Sequence, residues 1–173
     1  MDLGTFERFV IYQTFLVRNM GAIAEYARKK GSSLNELSVL IPLRYHDSAK
    51  EAHHRGCTQQ EICLRSPFLP KQTVNSIVKK LEREGKVVLE VSKSDSRMRE
   101  IVLTPIGRVW AAEVLDAFVE AGEQTVDTFS DRDFLTLLQF TRQFDLQLEQ
   151  SLGVPRIGSA IDLPENPGAE GTR

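Results

Sequence analysis

Cysteine is nearly absent from these 173 residues: Cys57 and Cys63 are the only two, and they stand in no paired spacing. A disulfide framework and a zinc ribbon both need sets of spaced cysteines, so neither is expected, and a reducing, cytoplasmic compartment is. Long apolar runs are missing as well. The first eight residues carry acids early and lead into no signal-peptide run. Nothing downstream approaches the roughly 18 uninterrupted apolar residues of a membrane span. No glycine-rich phosphate loop, Ser/His/Asp or Cys/His set, or close carboxylate pair stands in a catalytic context, which argues against an enzyme and against a resident cofactor. An excess of positive charge is lacking too, since 22 Lys and Arg against 24 Asp and Glu leave a net charge of −2.

That net value conceals a split. Residues 71–108 hold nine cations and five acids, a local +4, whereas the remainder holds 13 cations and 19 acids, or −6. Counterion release requires cations gathered near phosphates, so a basic block inside an acidic chain suits a localised nucleic-acid surface. A solvated, Lys-rich helix and hairpin would give the same count, and the motifs must decide. The composition, 41% hydrophobic and 27% charged, is ordinary for a globular protein. The length suits one domain, placed at 1–153.

Apolar residues at Phe9, Val10, Val17, Met20, Ile23, Ala24 and Ala27, broken by Gln13, predict a long helix over 5–29, ended near Gly31. Ser33 with Glu36 is a capping box for a helix to about Tyr45, which Pro42 is expected to kink or stop early. Residues 46–56 are polar and read as a loop. Thr58 with Glu61 is a second capping box, opening a short helix that ends before Pro67. Pro70 suits the first turn of the next helix, over 70–84, where Val74, Ile77, Val78 and Leu81 make a buried stripe and Gly85 is the stop. Residues 86–92 and Arg99–Leu103 read as a β-hairpin. Thr104-Pro105 caps a helix to about 129, and Ser130 with Asp133 starts a last one with apolar residues Phe134, Leu137, Leu138, Phe144, Leu148 and Leu152. The final segment, 154–173, has three prolines, three glycines and few large apolar groups, and is expected to be a disordered tail. The fold class is therefore mostly α with a small β-hairpin wing: a winged helix-turn-helix over about 58–104, flanked by long helices at 5–30 and 104–152.

On the helix after Pro70, a turn of 100° per residue sets Gln72, Asn75, Ser76, Lys79 and Arg83 opposite the apolar stripe. Gln72 and Asn75 can read adenine N6 and N7 in a major groove, and Ser76 can meet base edges or phosphate. Lys71, Lys79 and the backbone amides at the helix start would hold phosphates and set the register, and Thr73 is a further candidate DNA contact. An ordinary solvent face would look the same on this helix alone. In the hairpin loop, Asp95 and Arg97 are two apart, so in extended chain they share a side and can pair, holding Arg97 ready for a narrow minor groove. The alternative is a surface salt bridge of little worth. Lys93 and Arg99 add charge beside it.

Thr58-Gln59-Gln60-Glu61-Ile62, then residues 69–85, then Asp95-Ser96-Arg97 and Val102-Leu103-Thr104-Pro105-Ile106-Gly107 resemble the MarR family of bacterial transcriptional regulators. About 50 residues carry the resemblance. Many members have Asp-Arg-Arg in the wing where this chain has Asp95-Ser96-Arg97, so one wing cation is absent. The resemblance implies a homodimer in which the first and last helices of both chains intertwine and two reading helices enter successive major grooves of a pseudo-palindromic operator. It also implies release or modulation by a small-molecule effector through a changed spacing of the reading helices. Tyr12, Tyr45 and Trp110 are candidates to line the effector cavity, with plain core packing as the alternative. A winged-helix protein-interaction module without sequence-specific DNA binding is the second functional reading.

Two features tempt in other directions. His46, His53 and His54 with Asp47, Glu51 and Cys57 contain zinc-ligand chemistry but no compact ligand pattern, and solvated loop residues explain them. Cys57 and Cys63 suggest a redox switch, but the cysteine that sensing members of the resembled family carry in the first helix is missing. Cys63 reads as a small buried hydrophobe.

Overall fold

The computed structural model describes residues 4–48, 56–92 and 95–154. Glu51, His53, His54 and Lys93, and all of the proposed tail except Val154, lie outside the described residues. In chain order the elements are α1 (Thr5–Lys29), α2 (Leu34–Ser48), β1 (Cys57–Thr58), α3 (Gln59–Arg65), α4 (Lys71–Arg83), β2 (Val87–Val91), β3 (Arg99–Leu103), α5 (Pro105–Val126) and α6 (Asp131–Leu152).

Capping sets most helix starts. The Thr58 hydroxyl accepts from the Glu61 amide at 3.2 Å while Glu61 Oε2 accepts from the Thr58 amide at 2.7 Å, the reciprocal box expected for α3. Ser33 and Glu36 do the same for α2, and the Ser130 hydroxyl accepts the Asp133 amide for α6. Pro70 stands one position outside α4, as its N-cap, and Gly85 follows the helix with φ +68°, a conformation that a β-carbon would strain.

Pro42 does not stop α2, which runs through it to Ser48, so His46 and Asp47 are helical instead of belonging to a loop. Proline removes the amide that would have bonded the Ser38 carbonyl. That carbonyl instead accepts the hydroxyl of Ser66, the C-cap of α3, at 2.9 Å. The vacancy left by Pro42 thus becomes the tie between α2 and the end of α3, and it explains why Ser66 is buried.

The hairpin forms, but the sheet has a third strand that the residue pattern does not announce. β1 pairs antiparallel with β3, Cys57 opposite Ile101, giving the order β1-β3-β2. Two residues are too few to show alternation, which is why β1 escapes a pattern search. β3 is central and buried from Glu100 to Leu103, while edge strand β2 buries only Val87, so its apparent alternation does not translate into an inward face.

The core gathers Ala27, Leu37, Leu40 and Leu43 with Ile62, the α4 stripe, Val87, Ile101 and Leu103, and Ala111, Val114 and Leu115 of α5. Tyr26 donates its hydroxyl to the Val114 carbonyl at 2.8 Å, fixing the end of α1 on α5. Ile23 of α1 also packs against this core, whereas the first half of α1 and all of α6 stand apart from it. α6 has no buried residue, and its link to α1 is aromatic: Phe144 lies 4.4 Å from Tyr12 and 6.5 Å from Phe9 between ring centroids. Among the described residues, no helix is long and apolar enough to cross a membrane.

Candidate nucleic-acid interface

The buried side of α4 is Val74, Ile77, Val78 and Leu81, as the spacing predicts. Anchoring that stripe turns Gln72, Ser76, Lys79 and Arg83 outward, a continuous exposed row at i, i+4, i+7 and i+11. Lys71 is exposed at the first turn, whereas Thr73 and Asn75 are half-buried on the flanks of the row. The Ser76 hydroxyl donates to the Gln72 carbonyl at 2.9 Å, so what it offers outward is its lone pairs. A partner at that point must bring a donor, such as the exocyclic amine of adenine or cytosine.

α4 is held against its neighbours by polar ties on both sides. Gln59 of α3 donates through Nε2 to the Lys71 carbonyl at 3.3 Å. Lys80 pairs with Glu36 of α2. Burial alone would raise the Glu36 carboxyl, but the bonds from Lys80 and Ser32 outweigh it and hold the carboxyl below its ordinary value, while Glu36 holds the Lys80 ammonium above its own.

Ion pairs also sort the basic block. Lys80 is taken by Glu36, Lys86 by Glu84 at 2.6 Å with its ammonium 4.2 Å over the Trp110 ring, and Arg108 by Asp47 at 2.9 Å. Among the described residues, Lys71, Lys79 and Arg83 on α4 and Arg97 and Arg99 on the wing make no ion pair. Among the described residues of this block, the uncommitted cations are therefore those on α4 and the wing, a sorting that the bare charge count could not make.

At the wing tip the side-chain pairing expected of Asp95 and Arg97 is not formed. The chain turns there instead of staying extended, and Asp95 Oδ1 accepts the main-chain amide of Arg97 at 2.9 Å, with the Met98 amide closing on the Asp95 carbonyl at 2.9 Å. Asp95 shapes the turn and leaves the Arg97 guanidinium exposed. The far end of the hairpin is fixed by Thr104, whose hydroxyl donates to the Gly85 carbonyl at 2.7 Å and accepts the Gly107 amide at 2.9 Å. A β-carbon on Gly107 would stand 1.8 Å from the Lys86 carbonyl oxygen, so only glycine lets α5 start this close to the strand.

The three candidate effector residues are not brought into ring contact with one another. Tyr12 packs on Phe140 and Phe144 of α6 with its hydroxyl buried and unpaired. Tyr45 is exposed beneath the Arg65 guanidinium, 4.9 Å from its ring centre. Trp110 packs beside the core under Lys86. Cys63 is half-buried against the core, and burial with the nearby Glu61 carboxylate pushes the Cys57 thiol up to about 12.

No family model matches the sequence, and no curated protein matches it either. Solved structures do match in shape. A MarR family regulator from Neisseria meningitidis is 20% identical with a TM-score of 0.66 over 87% of this chain and 98% of its own. CouR from Rhodococcus jostii, bound to p-coumaroyl-CoA, is 18% identical with a TM-score of 0.59 over 91% of this chain and 100% of its own. The S. aureus MepR–DNA complex is 17% identical with a TM-score of 0.53 over 83% of this chain and 92% of its own. These likenesses extend over nearly the whole of each compared chain, and the present chain therefore has the winged helix-turn-helix fold of the MarR family regulators.

Proposed function

We propose that this protein is a DNA-binding transcriptional regulator that acts as a homodimer on a pseudo-palindromic operator and is modulated by a small-molecule effector. The observation that carries the reading is the sorting of charge within residues 71–108: there, among the described residues, the cations outside ion pairs lie on α4 and on the wing, beside Gln72 and Ser76. Lys71, Lys79, Arg83 and Arg99 grip phosphates, Gln72 and Ser76 meet base edges, Thr73 and Asn75 border the contact, and Arg97 reaches the minor groove, with Lys93 adding charge to the same loop. The MepR–DNA complex, similar in fold, supports this use of the lobe. A second copy seated on α1 and α6 would set two half-sites about one helical turn, ~10 bp, apart.

CouR bound to an acyl-CoA supports a ligand-responsive role for the same fold. Here the buried, unpaired Tyr12 hydroxyl is the group best suited to receive a polar ligand atom. A ligand that favours one spacing of the two lobes shifts DNA affinity by the difference in its own affinity for the two conformations.

The test is duplex binding to operator fragments selected from genomic DNA, measured across salt concentrations. Lys79→Ala and Arg97→Ala are expected to weaken binding, Lys79→Ala lowering the slope of log affinity against log salt by about 1, because one phosphate fewer is neutralised, and Arg97→Ala through the loss of its minor-groove contact. Affinity unchanged in the double variant rejects the reading.

A further inference from the structure

The end of α2, the strand β1 and the first turn of α3 bring together three side chains that are distant in sequence: His46, Cys57 and Glu61. An imidazole nitrogen, the Cys57 sulfur and a Glu61 carboxylate oxygen all lie within 4.8 Å of one another. Cys57 is buried, and His46 and Glu61 are half-buried, so the group faces the protein more than the solvent. We propose that His46, Cys57 and Glu61 bind Zn2+ and that the ion clamps the end of α2 to the start of α3.

The donor set selects the ion. One nitrogen, one sulfur and one carboxylate oxygen suit zinc, whereas Mg2+ and Ca2+ require shells made of oxygen. A tetrahedral zinc ion with ordinary bond lengths sets its nitrogen and sulfur donors about 3.6 Å apart, so from within 4.8 Å the side chains need to close by roughly an ångström at most. Three protein ligands leave the fourth position to water.

Charge balance also favours the ion. On binding, the Cys57 sulfur–hydrogen bond breaks, a sulfur–zinc bond forms and the proton passes to solvent. The thiolate and the Glu61 carboxylate together then neutralise the 2+ ion. The Glu61 carboxylate that would hold the ion also caps α3, accepting the Thr58 amide and hydroxyl through Oε2. In the order of residues His46 and Cys57 stand among side chains with zinc-ligand chemistry, but they form no compact ligand pattern and Glu61 is not among them. With 46–56 read as a loop, His46 has no fixed position, and Glu61 is accounted for as a capping residue.

The experiment uses the full reduced chain, stripped with a chelator, and two probes: Zn2+ in competition with a coloured chelator, and Co2+ followed by its thiolate charge-transfer absorption. DNA is absent, so the result stands apart from the regulator reading. The wild-type chain and the Cys63→Ser control are expected to take up one ion and to show the thiolate band, with Mg2+ not competing. Cys57→Ala is expected to lose the band, and His46→Gln and Glu61→Gln to bind zinc roughly tenfold or more weakly. Circular dichroism of each metal-free variant checks folding. Because Cys57 is a core residue, the partly exposed His46→Gln is the variant that decides if Cys57→Ala does not fold. No thiolate band in the wild type, or zinc affinity unchanged in His46→Gln, overturns the proposal.

Discussion

Gly107 sits where the α5 start passes the Lys86 carbonyl, and one added carbon there has nowhere to go. Gly107→Ala is expected to lower stability by about 3 kcal/mol or more, measured by denaturant unfolding, because the 1.8 Å approach is to a backbone oxygen that cannot swing aside. Thr104→Ala, which removes only the cap, is expected to cost less, about 1 kcal/mol. The pairing of Thr104 with Gly107 is visible in the sequence as a cap followed by a small residue. The roles of Asp95 and Pro42 are not. Reading Asp95 and Arg97 as partners assumes extended chain through the tip, and the turn redirects the carboxylate to the main chain. Reading Pro42 as a stop ignores a hydroxyl 24 positions downstream, that of Ser66, which takes up the Ser38 carbonyl.

Between elements, the clearest electrostatic tie is Glu36 of α2 with Lys80 of α4. The Glu36 carboxyl is held below its ordinary value, so its contribution is present above the unfolded carboxylate range and is lost as pH falls through the folded value. The Lys80 ammonium is held above its ordinary value, so its contribution is complete below the unfolded lysine value and is lost only as strong base is reached. Glu36→Gln is expected to melt lower than the wild type near neutral pH, by a few degrees at most, with the gap closing as acid protonates Glu36. A gap that stays constant from pH 7 down to acid would mean the pair does not couple α2 to α4. Helices are the legible elements, because caps and stripes at Thr58, Ser130 and Val74 to Leu81 are local signals. β1 is hidden because its pairing with Ile101 is set by the fold and leaves no mark in two residues.

For the molecule as a whole, the unburied apolar surface of the terminal helices is the dominant fact. Phe6 is 77% exposed, Val17 69%, Phe15 62% and Leu152 65%, and the second copy proposed above would cover them. Light scattering on the purified protein is expected to give twice the 19.5 kDa chain mass. The melting temperature should then rise with protein concentration, since association stabilises the folded state. A monomer whose melting does not change on dilution would contradict this. The split of charge is legible in the sequence because it is a count over a segment. Which cations remain uncommitted is not, because Glu36 and Asp47 meet Lys80 and Arg108 only across the fold.

The cross-ties from Ser66 to Ser38, Gln59 to Lys71 and Lys80 to Glu36 have a mechanical consequence. They join α2, α3 and α4 to one another, and α2 in turn packs on α1 and α5. On the proposed reading, a slight tilt near α1 would then carry α4 and the wing together. Such a device would tell one DNA site from another by the distance between its halves, while the letters each half reads stay the same.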